Sequence, residues 1–132
     1  MADLNLVLVT PEKTLFDRSV SSVRVPMFDG SAGIYPRRAP LVGRLGIGEL
    51  KLNLDNGTTE SYFIDGGFVQ VKGDRVSVLT NAGQPVSEID RAEAQAELEA
   101  ARADKAISEE EFATLAHRLE RARKLVSMSS GS

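Results

Sequence analysis

Apolar and polar residues alternate with a period of two through the N-terminal part of the chain, in short runs punctuated by glycine, proline, asparagine and aspartate. The runs are LNLVLVT (4–10), SVSSVRVP (19–26), GELKLNL (48–54), ESYFI (60–64), FVQV (68–71) and RVSVLT (75–80). That period gives each segment one face to bury, the signature of a half-buried β-strand. Leu50, Leu52 and Leu54 alternate with Lys51, Asn53 and Asp55, and Asn56-Gly57 follows. Two residues that tolerate positive φ between such runs predict a tight hairpin. Gly73-Asp74 predicts a second, and Gly66-Gly67 a bend or bulge between strands. Short strands with turn residues between them predict an antiparallel sandwich or barrel rather than a βαβ sheet.

After Pro85 the period changes. VSEIDRAEAQAELEAARADKAISEEEFATLAHRLERARKLV (86–126) contains neither glycine nor proline and is dominated by Ala, Glu, Leu and Arg. The chain therefore divides into a β-rich domain over 1–84 and a helical hairpin over 85–132, an α+β protein. Ile89, Ala92, Ala96, Ala100, Ala103 and Ile107 are spaced 3, 4, 4, 3, 4 and predict one face of a first helix. That helix is entered at Ser87, with Asp90 serving its N-terminus. Ser108 and Glu111 form a capping-box pair that starts a second helix, on which Phe112, Leu115, Leu119, Ala122 and Val126 share a face. The short link makes the pair antiparallel. Its alanine-rich seam is narrow, so the hairpin is marginal alone and able either to pack on the sandwich or to leave it for another surface.

Composition narrows the chemistry. At 132 residues, 42% hydrophobic and 27% charged, the chain has the makings of a globular domain with an appendage. A net charge of −3 disfavours nucleic acid or anionic lipid as partner. There is no cysteine and His117 is the sole histidine, so thiolate sites, zinc sites and Ser-His triads are poorly supplied. His117 reads as solvated or as stabilising the helix dipole. No secretory leader and no membrane-spanning apolar run is expected. The stretch GSAGIYPRRAP (30–40) looks like an anion-binding loop, with two glycines and the adjacent pair Arg37-Arg38. A phosphate-binding glycine loop leads into a helix N-terminus, however, and here the flanks are strands. A shaped sandwich loop with arginines for solvent or a protein contact is the better reading.

Three segments carry a resemblance. VTPEKTLFDRSVSSVRVP (9–26), GIYPRRAPLVGRLGIGEL (33–50) and IDGGFVQVKGDRVSVLTNAG (64–83) together resemble the epsilon subunits of bacterial and chloroplast-type rotary ATP synthases, the counterparts of mitochondrial delta. The resemblance implies an antiparallel N-terminal β-sandwich of about ten strands followed by a two-helix hairpin. It implies a non-catalytic central-stalk subunit, without cofactor or metal, of a proton-translocating F-type ATP synthase, coupling c-ring rotation to ATP synthesis in the alpha/beta catalytic hexamer. Its hairpin would restrain ATP hydrolysis. The partners implied are the gamma subunit and the c-ring through the sandwich, and the hexamer through the hairpin. The chain would lie on the cytoplasmic face of the bacterial inner membrane, held there indirectly by the complex.

Residue by residue, Asp29, Gly30 and Ser31 align with the family's c-ring-facing turn, and Arg38, Pro40 and Leu41 with its gamma-facing segment. Arg118, Arg121 and Arg123 are the candidate hexamer contacts. Two departures stand out. Arg37-Arg38 replaces a Gly-His pair, and in IDRAEA (89–94) Glu93 replaces the arginine of a motif associated with ATP binding. A carboxylate there repels nucleotide phosphates, so ATP binding by the hairpin is not expected. A nucleic-acid-binding β-barrel with a helical tail is the alternative, opposed by the acidic pI and sparse aromatics. A small hydrolase would need distant residues such as Glu60 and Asp65 to converge.

Overall fold

The computed structural model describes residues 3–37 and 39–129, and the chain divides into two compact units at the junction of Pro85 and Val86. The first unit contains eight strands among the described residues: β1 (Leu4–Val9), β2 (Thr14–Val20), β3 (Ser22–Met27), β4 (Gly30–Ile34), β5 (Leu41–Asn53), β6 (Thr59–Lys72), β7 (Arg75–Leu79) and β8 (Gly83–Pro85). They join in the order β2-β1-β7-β6-β5-β3-β4, with β8 also on β6.

Eight rather than about ten strands result because β5 and β6 each run through both layers of the sandwich. Residues 68–72 of β6 pair with β7, while residues 62–64 pair with β8. On β5, residues 51–53 pair with β3. The two long strands stay paired to each other along their length, with one break where Leu45 meets Gly67 and Ile47 meets Asp65. Gly66 and Gly67 sit at that break with φ of 69° and 110°, so the diglycine makes a bend within one strand, not a gap between two. A Cβ on Gly67 would lie 1.8 Å from the Leu79 carbonyl oxygen, which leaves glycine as the residue that fits.

One pairing departs from the antiparallel expectation. β1 and β7 run parallel, Asn5 opposite Arg75 through Val9 opposite Leu79. The whole intervening chain forms the crossover that a parallel pair requires. The sandwich core lies between the layers and is filled by alternating residues: Leu4, Leu6 and Leu8 on β1, Leu50 and Leu52 on β5, Val69 and Val71 on β6, and Val76 and Val78 on β7. β2 is tied to the start of β6 by a two-pronged ion pair, Arg18 to Glu60 at 2.6 and 3.2 Å, beside Phe16 and Tyr62 with ring centroids 5.0 Å apart. The Glu60 carboxylate, through that hydrogen bond, pushes Arg18 further toward its charged form.

Several local expectations are corrected. SVSSVRVP is not one strand: the chain breaks at Ser21 and β2 begins earlier, at Thr14. Asn56-Gly57 lies within a five-residue loop (54–58), in which the Asn56 side chain accepts the Thr58 amide at 3.0 Å. An asparagine that satisfies a nearby amide through its own carbonyl relieves the backbone of forming a two-residue turn. Gly73-Asp74 does form the two-residue turn, with Gly73 at φ 61°. GSAGIYPRRAP is half strand, since residues 30–34 pair with β3.

The second unit holds a single 3-10 turn at Val86–Glu88, then α1 (Arg91–Ala103) and α2 (Glu109–Met128). Asp90 is itself the N-cap of α1, accepting the Glu93 amide at 3.1 Å, so the helix starts beyond Ser87 and Ile89 lies outside it. The expected stripe on α1 is wrong. Ala94, Leu98 and Ala101 are buried, whereas Ala92, Ala96, Ala100 and Ala103 are exposed. Both sets have helical spacing; the winning one includes Leu98, the largest apolar side chain in α1, whose burial removes most area from water. On α2, Ala122 and Leu125 are buried and Leu115, Leu119 and Val126 half-buried, but Phe112 is exposed. The Ser108–Glu111 capping box forms as expected. Ion pairs between Arg118 and Asp104 at 2.5 Å and between Arg121 and Glu97 at 3.5 Å link the two antiparallel helices.

Candidate functional site

β5, β6 and β7 each have one set of side chains committed to the core, so the alternate positions face outward. Those positions ought to be polar on a solvated face. Instead Val42 is 72% exposed, Phe68 58% and Leu79 53%. Register brings them together: Phe68 lies opposite Leu79 on one side and Arg44 on the other, and Val42 lies opposite Gln70, two residues along from Phe68. Val9 of β1, opposite Leu79, extends the row. Two shallow depressions of about 420 and 600 Å³ adjoin along this face and share Phe68 and Leu79. At its edge the β3–β4 hairpin turns through Phe28-Asp29, where Phe28 is 69% exposed and its amide donates to the Arg44 carbonyl at 3.0 Å. Contiguous exposed apolar surface of this kind is characteristic of a binding surface.

The residues singled out from sequence fall in separate places. Asp29, Gly30 and Ser31 cluster at the β3–β4 hairpin and are exposed, and the Arg24 guanidinium donates to the Ser31 hydroxyl at 3.3 Å. Arg38 lies outside the described residues. Pro40 is exposed and Leu41, half-buried against the core, opens β5 beside Val42. Arg118 reaches back to Asp104, the C-cap of α1, and Arg121 to Glu97 within it, while Arg123 is exposed. Glu60 and Asp65 do not converge: they alternate onto opposite faces of β6, and Glu60 is engaged by Arg18. Among the described residues no three His, Cys, Asp or Glu side chains gather as a metal site would require. Val42, Phe68, Leu79, Phe28 and Arg44 were not singled out from the sequence. The available signal was phase: Phe68 next to Val69, and Leu79 next to Val78, place apolar residues on both faces of one strand.

Residues 3–85 match the family model described as "ATP synthase, Delta/Epsilon chain, beta-sandwich domain". The chain belongs to the ATP synthase delta/epsilon family. Among curated relatives, an ATP synthase epsilon chain of Rhodopirellula baltica is 50% identical over 91 residues, 69% of this chain and 70% of that one. Another, from Carboxydothermus hydrogenoformans, is 44% identical over 103 residues, 77% of this chain and 76% of the relative. Among solved structures, a chain of the Euglena gracilis mitochondrial ATP synthase, determined as OSCP/F1/c-ring, superposes with a TM-score of 0.85 at 25% identity, covering 96% of this chain and 81% of its own. A chain of the Tetrahymena thermophila central stalk and c-ring shares the fold at 17% identity, with a TM-score of 0.71 and 96% of each chain covered. As a delta/epsilon family member, the chain is a non-catalytic subunit of the central stalk of an F-type ATP synthase. Among its described residues no helix is long and apolar enough to cross a membrane.

Proposed function

We propose that this subunit docks on gamma through the outer face of β5, β6 and β7 and turns with it, coupling c-ring rotation, driven by proton flux, to ATP synthesis in the alpha/beta hexamer. The observation that carries the reading is the row of exposed apolar residues Val42, Phe68 and Leu79; Pro40 and Leu41, which the resemblance aligns with a gamma-facing segment, directly precede Val42. Burying those side chains together against a partner supplies the apolar centre that a stable interface needs. The β3–β4 hairpin, with Asp29, Gly30 and Ser31 at its tip, is the proposed contact to the polar loops of the c-ring. Arg118, Arg121 and Arg123 are the proposed contacts of the helical hairpin to the hexamer, through which it restrains hydrolysis. Attachment to the membrane is then indirect and peripheral, on the cytoplasmic side of a bacterial inner membrane.

Phe68→Asp tests the docking. Phe68 points outward, so the sandwich should fold, while a carboxylate at the centre of the contact should lower affinity for the alpha/beta/gamma complex by about 100-fold or more and abolish gradient-driven ATP synthesis. Unchanged binding would refute this docking face.

A further inference from the structure

The outer face of β5, β6 and β7 is cationic in an acidic chain. Where residues 41–45 of β5, 68–72 of β6 and 75–79 of β7 pair, the outward positions carry Arg44, Lys72 and Arg75 and no carboxylate, against a net charge of −3 for the whole. Lys72 and Arg75 pair with each other across the β6–β7 turn, at the far end of the face. Arg44 is placed differently. It stands directly opposite Phe68, at the distance where cross-strand side chains touch. Its guanidinium carbon also lies 6.0 Å from the centroid of the Phe28 ring. The hydrogen bond from the Phe28 amide to the Arg44 carbonyl fixes the hairpin tip against β5, so the ring and the guanidinium are held as a pair. Both flanking rings are largely exposed, and among the described residues no carboxylate forms an ion pair with Arg44.

Arginine is the cation suited to such a position. Its planar, weakly hydrated head stacks on aromatic faces and presents a fork that matches a carboxylate. Stacking on Phe28 leaves its edge N–H groups to a partner and removes part of the rotamer freedom that binding would otherwise cost. Covering the face with an uncharged or basic surface would strip water from this guanidinium without returning a counter-charge.

Resting on the docking reading above, we infer that Arg44, set between Phe28 and Phe68, is the specificity-determining residue of this face, and that the surface covering it presents a carboxylate among apolar side chains. Lys72 and Arg75 add a longer-range preference for an acidic partner, felt mainly in the rate of association.

The test is titration of the full-length chain and its variants into the alpha/beta/gamma complex, at about 50 and about 500 mM salt. Arg44→Gln should weaken binding about 10-fold, and Arg44→Glu about 10-fold more at low salt, because glutamate adds repulsion to the lost contact. The gap between the two variants should shrink at high salt. Equal affinity of Arg44→Gln and Arg44→Glu at both salts, or wild-type affinity of either, overturns the inference. Phe68→Ala separates this failure from that of the docking reading. If Phe68→Ala binds weakly while Arg44→Glu binds like wild type, the face docks but Arg44 does not select its partner. If Phe68→Ala binds like wild type, the docking face itself is wrong and the inference falls with it.

Discussion

Arg37 holds a backbone conformation that its side chain disfavours. Its φ of 67° places it in the left-handed region, directly after Pro36, the combination that a type II turn places at its two central positions. For a residue with a Cβ that conformation costs roughly 1–2 kcal/mol. The family resemblance puts a glycine at this position, the residue that adopts such a φ without strain. Arg37→Gly should therefore stabilise the sandwich by about 0.5–1 kcal/mol, the relief being partly offset by the greater freedom of glycine in the unfolded chain. Urea denaturation checks this, and a destabilised variant would show that the Arg37 side chain makes a contact worth more than the strain. At this scale the sequence was legible where one residue type answers one geometric demand: Gly66-Gly67 for a bend, Gly73 for a tight turn, and Ser108 with Glu111 for a helix start. It was not legible at Phe68, Val42 or Leu79. An exposed apolar residue in a strand has the same identity as a buried one, and only the register of neighbouring strands gathers the three.

Elements were harder to delimit than to recognise. β5 and β6 are 13 and 14 residues long, and each passes through both layers of the sandwich. Alternation lapses where a strand bends between layers, so each half reads as a separate short strand or, as with residues 41–47, escapes notice. β4 and β8 escaped for another reason: they are short and rich in small or turn-forming residues, and their pairing is decided by the strand beside them. On α1 two stripes had helical spacing, and periodicity could not rank them without weighing Leu98 against alanine. The start of α2 supports a pH prediction. Glu111 accepts the amides of Ser108, at 3.0 Å, and Ile107, at 3.1 Å, and those bonds hold its carboxyl below the ordinary value of 4.5. A depressed carboxyl contributes stability that is complete above the unfolded value and is lost as pH falls through the folded one. Helicity of the hairpin should thus decline as pH drops below about 4.5, and Glu111→Gln, which keeps an acceptor for the cap, should flatten that decline. Circular dichroism from pH 7 to about 3 reads it directly; an unaltered acid limb in the variant would place the sensitivity elsewhere.

At the level of the whole molecule, the division into two compact units matches a division of labour that can be tested by cutting the chain after Pro85. The first unit contains the core of the sandwich and the complete docking face, so the truncated protein should still bind the alpha/beta/gamma complex, losing only what the hairpin's contacts to the hexamer add. ATP hydrolysis by the complex should rise once the helical hairpin is gone; unchanged hydrolysis would remove its proposed restraining role while leaving docking intact. The central claim, that the outer face of β5, β6 and β7 is covered by the stalk, can be read with a cysteine footprint, because the chain has no cysteine of its own. Gln70→Cys puts a thiol in the middle of that face, and Asn56→Cys puts one in the exposed loop between β5 and β6. On adding one equivalent of the alpha/beta/gamma complex, maleimide labelling at position 70 should slow by about 10-fold or more while labelling at position 56 stays unchanged. Undiminished labelling at position 70 in a complex that has bound the chain would contradict the account.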